Sequence, residues 1–291
     1  MNPTAIKPLK EQLKGKDLVI APGIFDMISV KVADEVGFNA LYMTGYGVTA
    51  SYLGLPDAGI TTYTDMVGRI QATKSISRTP LIADGDTGYG GLLNVQHTVR
   101  GYEAAGAAAI QIEDQEFPKK CGHLLGRKVV PLEDMVAKIR VAVESRESSE
   151  FLIIARTDAR TAHGLDEALR RAEAFDKAGA DVLFVESPES IEEMEIIGKR
   201  FDKPLFANMV EGGRTPLLDK KTLEELGYSI AIFPVLGFLA AANAMRDAFE
   251  QLKTKGSSSA VDTPLYPFEA FSALMGFEEV TAFDEKYRER A

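Results

Sequence analysis

Eight short apolar runs recur along the chain, and each is followed by a stretch with helical periodicity. The runs are LVIAPG from Leu18, ALYMTG from Ala40, PLIADGD from Pro80, AAIQIED from Ala108, FLIIARTD from Phe151, DVLFVES from Asp181, PLFANM from Pro204 and IAIFP from Ile230. Short, near-continuous apolar runs suit strands buried on both faces of a parallel sheet. The clearest helix between them is LDEALRRAEAFDKAGAD. Its Leu165, Ala168, Leu169, Ala172 and Phe175 form one stripe, and Gly179 offers the turn that ends it. Phrases such as EAAGAAAI, DKAGADVLF and EVGFNALYM read as helix end, glycine turn, next strand. Eight such units in about 250 residues predict an α/β fold, a (β/α)₈ TIM-type barrel. The alternative is a doubly wound open sheet, which normally uses about five or six strands. No G-x-G-x-x-G follows the first run, so a dinucleotide site has little support.

The barrel is expected to occupy residues 1–252. KTKGSSSAVDT, from Lys253, reads as a linker, and 253–291 as linker plus a C-terminal helical segment. That segment is rich in apolar residues, so it packs either on a neighbouring subunit or back on its own barrel. A formal net charge of −10 argues against nucleic-acid binding, which needs a basic face. No apolar run approaches the ~20 residues of a membrane span. The N-terminal MNPTAIKPLKEQLKGKD is polar and lacks a secretory apolar core. Cys121 is the single cysteine, so no internal disulfide forms and the fold needs no oxidising compartment. The expectation is a cytoplasmic protein with neither a nucleic-acid nor a membrane partner.

Barrel active sites lie at the C-terminal ends of the strands. Here those ends read Thr44-Gly45-Tyr46-Gly47, Asp84-Gly85-Asp86, Glu113-Asp114, Arg156-Thr157-Asp158, Glu186 and Asn208. One such residue reads as a helix cap or a rim ion pair. Six strand ends together make a mouth whose carboxylates repel one another unless a cation joins them. In DGDTGYG, two carboxylates two residues apart can face one hard ion such as Mg²⁺, with Mn²⁺ as a substitute. Asp86 is the expected direct ligand, with Asp84 and Glu113 acting directly or through water. Arg156 ends an apolar strand and needs a partner, either Glu186 or a substrate carboxylate. Cys121 follows the fourth run, in FPKKCGHLLGRKVV. This polar, glycine-punctuated loop predicts an exposed, mobile cysteine rather than a buried structural one. Lys119, Lys120 and His123 are expected to lower its pKa, and it can serve as nucleophile or general acid.

GLPDAG, DGDTGYGG, IEDQ, KKCGH, ARTDA and ANMVEGG, in this order, resemble the isocitrate lyase / phosphoenolpyruvate mutase superfamily over most of the chain. KKCGH resembles its carbon–carbon lyase branch in particular. The resemblance implies a (β/α)₈ barrel, dependence on Mg²⁺, and a homotetramer built from two helix-swapped dimers. It also implies cleavage of a 2-hydroxy di- or tricarboxylate into a 2-oxo acid and a second carboxylic acid, which leaves as an enolate-like dianion. Carried over by motif, Thr44, Gly45 and Tyr46 hold the 2-oxo acid part, and Tyr42 and Asp57 join the substrate-binding residues. Asp84, Asp86 and Glu113 serve the metal, and Arg156 holds a carboxylate. Cys121 is the acid, with His123 beside it, and Gly122, His123, Glu186 and Asn208 line the second product's site.

Tricarboxylate-using relatives carry two arginines for the extra carboxylate. Leu239 stands at the first of these positions, just after PVLGF, and a gapless alignment puts Phe268 at the second. An unpaired carboxylate against apolar side chains is costly, whereas a methyl group is welcome. The expected reaction therefore cleaves a 2,3-dimethylmalate-type substrate to pyruvate and an acid such as propionate, with Leu239 beside the substrate. The first alternative is 2-methylisocitrate cleavage to pyruvate and succinate, for which Arg214 is the nearest remaining cation. Further alternatives are oxaloacetate hydrolysis, where the relatives favour serine and this chain has Leu236, and a phosphoenolpyruvate-type phosphonomutase, which typically lacks the cysteine.

Overall fold

The computed structural model describes residues 6–288. The first five residues of the polar N-terminus and the last three of the C-terminal segment lie outside that range. Among the described residues eight strands form, one at each of the eight apolar runs: β1 Val19–Ile24, β2 Leu41–Met43, β3 Leu81–Asp84, β4 Ala109–Glu113, β5 Leu152–Thr157, β6 Val182–Val185, β7 Phe206–Asn208 and β8 Ile230–Phe233. They pair in parallel in the order β6-β5-β4-β3-β2-β1-β8-β7. The remaining seam is drawn together by a parallel bridge between Leu183 and Leu205, with the Leu183 N–H donating to Pro204 O at 3.0 Å. The sheet is thus a nearly closed (β/α)₈ barrel.

Parallel neighbours need long crossovers, and helices supply them. Their starts are written locally. Asp26 and Ser29 form a capping box before the helix Met27–Val36, and Thr62 and Asp65 do so before Tyr63–Ile76. Helix Leu165–Lys177 buries Ala168, Ala172 and Phe175, with Leu165 and Leu169 partly covered beside them. Gly179, at φ +101°, makes the left-handed turn into β6.

Two cores follow from the two-residue period of a strand. Outward-facing Leu41, Met43, Leu81, Ile110, Ile112, Ile153 and Leu183 pack in the layer with the helices. Inward-facing Val19, Ala21, Tyr42, Ile82, Ala109, Ile154, Phe184, Phe206 and Ile232 fill the barrel, joined by Leu9 of the short helix Leu9–Gln12. Each fully buried large apolar side chain contributes about 1.5–3 kcal/mol. Continuing each inward set in steps of two changes its chemistry. Ile82 leads to Asp84 and Asp86, Ala109 to Gln111 and Glu113, Ile154 to Arg156 and Asp158, Phe184 to Glu186, and Phe206 to Asn208. One end of the packed interior is therefore a charged rim.

The described chain divides into two compact units, one ending at Gly237 and the other beginning at Phe238. The first contains the barrel. The second holds most of the helix Leu236–Lys255 and the helices Phe268–Leu274 and Phe277–Arg288, and none of its described residues is buried. Among the described residues no helix is long and apolar enough to cross a membrane.

Candidate active site

A cleft with about 430 Å³ of empty space opens at the charged rim. It is lined by Tyr42, Thr44, Tyr46, Asp57, Asp84, Glu113, Cys121, Gly122, His123, Arg156 and Asn208 among the expected site residues. Gly45, Asp86 and Glu186 join it through hydrogen bonds and ion pairs described below. Leu239 belongs to the second unit, where its side chain is exposed.

Asp84 is held in place rather than free. It accepts from the Gly45 N–H at 3.3 Å, the Asp86 N–H at 3.0 Å and the Gln111 amide at 3.4 Å, and Gln111 in turn accepts from the Tyr42 hydroxyl at 2.8 Å. A Cβ at residue 45 would sit 2.7 Å from Asp84 Oδ2, so glycine is needed for this close approach. Asp86 adopts a left-handed backbone at φ +46°, a strained conformation typical of functional loops. Burial lifts the Asp86 carboxyl to about 6 and lifts Glu113 well above the usual carboxylate range, and Glu113 Oε1 has no hydrogen-bond partner. Lys119 stands among these acids. Its Nζ lies 2.5 Å from Asp86 Oδ1 and also pairs with Asp57. Burial opposes its charge, but Asp86, Asp57, Glu113 and Asp84 outweigh that and hold its proton firmly.

Asp114, next to Glu113 in sequence, points the other way. It accepts from the Thr157 hydroxyl at 2.7 Å, the Asp158 N–H at 2.8 Å and Arg171 at 3.0 Å, tying β4 to β5 and the helix behind. Neighbours on a strand face opposite sides, so only one residue of the Glu113-Asp114 pair reaches the mouth.

The segment from Gln115 to Val130 folds over the rim. Gln115 pairs with Val129 in an antiparallel bridge, and its amide holds Lys120 through Lys120 N–H and O, at 3.0 and 2.9 Å. Gly122 O accepts from the Ser187 hydroxyl at 2.9 Å. A Cβ on Gly122 would lie 2.3 Å from an Arg156 Nη2 and 2.9 Å from the Glu186 carboxyl carbon, so only glycine lets this segment sit so low. Cys121 is consequently half-buried rather than exposed. The expected lowering of its thiol pKa is not found. Burial raises it above its ordinary value near 9, against a lowering by a His123 backbone hydrogen bond. Lys119 has turned away to its own acids, so its charge is already neutralised.

Arg156 makes a two-pronged bond to Asp158, at 2.8 and 2.9 Å, with Glu113 at 3.3 Å and Glu186 at 3.6 Å. Its guanidinium lies over the Phe184 ring at 5.0 Å. The acidic neighbour expected from sequence, Glu186, is thus present, but Asp158 is the nearer partner. Burial pushes the Asp158 carboxyl up, yet Arg156 and Arg127 together hold it below the usual range. His123 Nδ1 accepts from the Arg214 N–H at 3.0 Å, which leaves Nε2–H to face Glu186 Oε1 at 3.1 Å. Burial keeps this imidazole below its ordinary pKa and therefore neutral at pH 7. Asn208 donates to both Glu186 oxygens, at 3.1 and 3.4 Å.

Lys119 as a charge centre, Gln111, Arg127, and the apolar lining residues Val210, Ile232, Pro234 and Val235 were not read as site residues from the sequence. Gln111 did leave a signal, being the lone polar residue inside an apolar run and two positions before Glu113. Arg127 and the apolar four left none.

A (β/α)₈ barrel whose mouth gathers acids, a buried arginine and a half-buried cysteine in one cleft has the groups an enzyme uses for acid–base work on a small molecule. Residues 9–253 match the phosphoenolpyruvate phosphomutase family. The chain is 49% identical over 284 residues to the 2,3-dimethylmalate lyase of Eubacterium barkeri, covering 98% of both chains. It is 40% identical to a 2-methylisocitrate lyase of Aeropyrum pernix, covering 97% of this chain and 91% of that one. A crystal structure of 2,3-dimethylmalate lyase superposes with a TM-score of 0.90 at 40% identity, covering 98% and 95% of the two chains. A phosphonopyruvate hydrolase in complex with oxalate and Mg²⁺ superposes at 0.87 and 30% identity, covering 98% and 99%. The chain belongs to the phosphoenolpyruvate phosphomutase family, within the PEP mutase/isocitrate lyase superfamily.

Proposed function

We propose that this enzyme is a carbon–carbon lyase that cleaves 2,3-dimethylmalate, or a closely similar methyl-substituted malate, to pyruvate and propionate. The observation that carries the reading is Cys121. It stands half-buried in the cleft with its thiol held protonated, beside the acids and Arg156, in a chain 49% identical to a 2,3-dimethylmalate lyase. In the reaction the C2 hydroxyl gives its proton to a carboxylate of the rim, the C2–C3 bond breaks with its electron pair passing to C3, and C2 becomes the ketone of pyruvate. The electron pair left on C3 is protonated by the Cys121 thiol. The helix Gly45–Leu53 begins at the rim with Thr44 as its cap, and its N-terminal N–H groups suit the 2-oxo acid carboxylate. Arg156 attracts the second carboxylate, and neutral His123 and Asn208 orient it.

The donor set fits Mg²⁺. Asp84, Asp86 and Glu113 offer only oxygens, Glu113 Oε1 is buried without a partner, and Mg²⁺ needs only one or two protein carboxylates beside water and substrate oxygens. Among the described residues no three His, Cys, Asp or Glu converge on one point, so substrate and water would complete the shell. Bound there, the cation would supply positive charge for the developing dianion. Chelation with EDTA should lower turnover at least tenfold and added Mg²⁺ should restore it. Unchanged turnover in excess chelator, with no metal by elemental analysis, would remove the metal from the scheme.

The apolar Leu239 and Phe268, at the positions where tricarboxylate-using relatives are expected to have arginines, support the monocarboxylate product. The expected preference for 2,3-dimethylmalate over 2-methylisocitrate is at least ~10² in kcat/KM, assayed by 2-oxo acid release. A preference for the tricarboxylate would shift the reading to a methylisocitrate lyase. We also infer a cytoplasmic homotetramer. A C-terminal unit with no buried residue among those described, and with Phe249, Leu265, Phe268, Phe277 and Phe283 exposed, supports packing against another copy.

A further inference from the structure

The charges of the cleft are not spread evenly. Its aspartate, glutamate, lysine and arginine lining residues, Asp57, Asp84, Glu113, Lys119, Lys120 and Arg156, all come from the arc between β2 and β5 and its loops. The arc of β7 and β8 contributes Asn208, Val210, Ile232, Pro234 and Val235, one neutral amide and four apolar side chains. The amide brings no charge of its own, and it donates to both oxygens of Glu186. The nearest cation beyond β7, Arg214, is committed to Glu189, with its Nε 2.9 Å from Oε1, while its backbone N–H holds His123. Among the described residues of the barrel unit, a carboxylate turned towards this arc finds no cation. Desolvated and unpaired, it would be strongly disfavoured. A methyl group turned the same way loses nothing polar and gains contact.

The half of the substrate that becomes the second product is the half that meets this arc. In the reading above, its carboxylate faces Arg156, His123 and Asn208, and Val210 enters the cleft two residues after Asn208. A group carried on C3, next to that carboxylate, would then lie in the part of the cleft that Val210 lines. Resting on the lyase reading, we propose that Val210, backed by Ile232, Pro234 and Val235, is the specificity-determining wall that selects a methyl group on C3 of the substrate. This wall lies within the barrel unit and is separate from Leu239 and Phe268.

The test compares kcat/KM for 2,3-dimethylmalate and 2-methylmalate, which differ only in the C3 methyl. One methyl group in an apolar pocket is worth about 10–100-fold, so wild type should favour the dimethyl substrate by that factor. Val210→Thr keeps the shape of the side chain and places a hydroxyl in the wall. Val210→Ala removes the contact. Each should cut the ratio at least fivefold, with thermal melts confirming that both variants fold. Equal kcat/KM for the two substrates in wild type overturns the wall. So does a ratio in either folded variant that stays within twofold of a wild-type preference. A wild type that releases no 2-oxo acid from either malate overturns the lyase reading, and the wall falls with it. The two failures are thus distinguishable.

Discussion

Cys121→Ser should lower kcat for cleavage by about 10² to 10⁴, with a much smaller change in KM. The reason lies in the state of the thiol. Burial raises its pKa above the ordinary value, so the resting group is a thiol at neutral pH and can donate a proton where a thiolate could not. Serine keeps the size and position but has a far less acidic proton. The pH dependence separates a donor from a nucleophile. A donor stays active until pH rises past the raised thiol value, so wild-type kcat should hold to about pH 9 and fall above it. A nucleophilic thiolate would instead gain activity over that range. Wild-type kcat in Cys121→Ser would assign the proton to another group.

Arg156→Met should destabilise the protein by about 3–5 kcal/mol, the usual cost of removing one partner from a buried ionic cluster, and should also abolish turnover. The side chain is 7% exposed and serves Asp158, Glu113 and Glu186 at once. Arg127 remains on Asp158 and His123 on Glu186, but Glu113 loses its charge partner in the arginine. The expected drop in Tm is about 5–15 °C. Its pH dependence has a definite sign. In wild type the folded Asp158 carboxyl lies below its unfolded value, so its contribution is present above that unfolded value and is lost as pH falls through the folded one. In the variant Glu113, already raised by burial, loses the lowering influence of the arginine and lies further above its unfolded value, so this added penalty is relieved as pH falls and it takes up a proton. The gap between wild type and variant should narrow from about pH 8 to about pH 5 in thermal melts. A constant gap, or a variant as stable as wild type, would show that the arginine is not what holds the Asp158 carboxyl below its usual range.

How much of this could be read from the chain differs from residue to residue. Asp84, Asp86, Glu113, Arg156, Glu186 and Asn208 were legible because each ends an apolar run, and a parallel barrel delivers strand ends to one rim. Gln111 was legible in principle by the same two-residue count. Lys119 was visible but misread. In KKCGH it looks like a neighbour for Cys121, yet in the structure it pairs with Asp57, 62 positions earlier, and with Asp86. The loop around Cys121 is polar and glycine-rich, which suggested exposure. Gly122 instead lets the backbone approach Arg156 and Glu186 closely, and the thiol is half-buried with a raised pKa.

The sequence by itself determined the barrel, the positions of its strands and most of the polar strand-end side chains that reach its mouth. These depend on local periods, two for a strand and 3.6 for a helix, that are written in consecutive residues. Only the tertiary structure decided which charges neutralise which. It placed Lys119 with Asp57 and Asp86, Arg156 first with Asp158, Asp114 behind the sheet, and four apolar residues along one arc of the cleft. Pairing and burial depend on groups distant in sequence, and the low dielectric that shifts a pKa exists only once the chain has closed around the group.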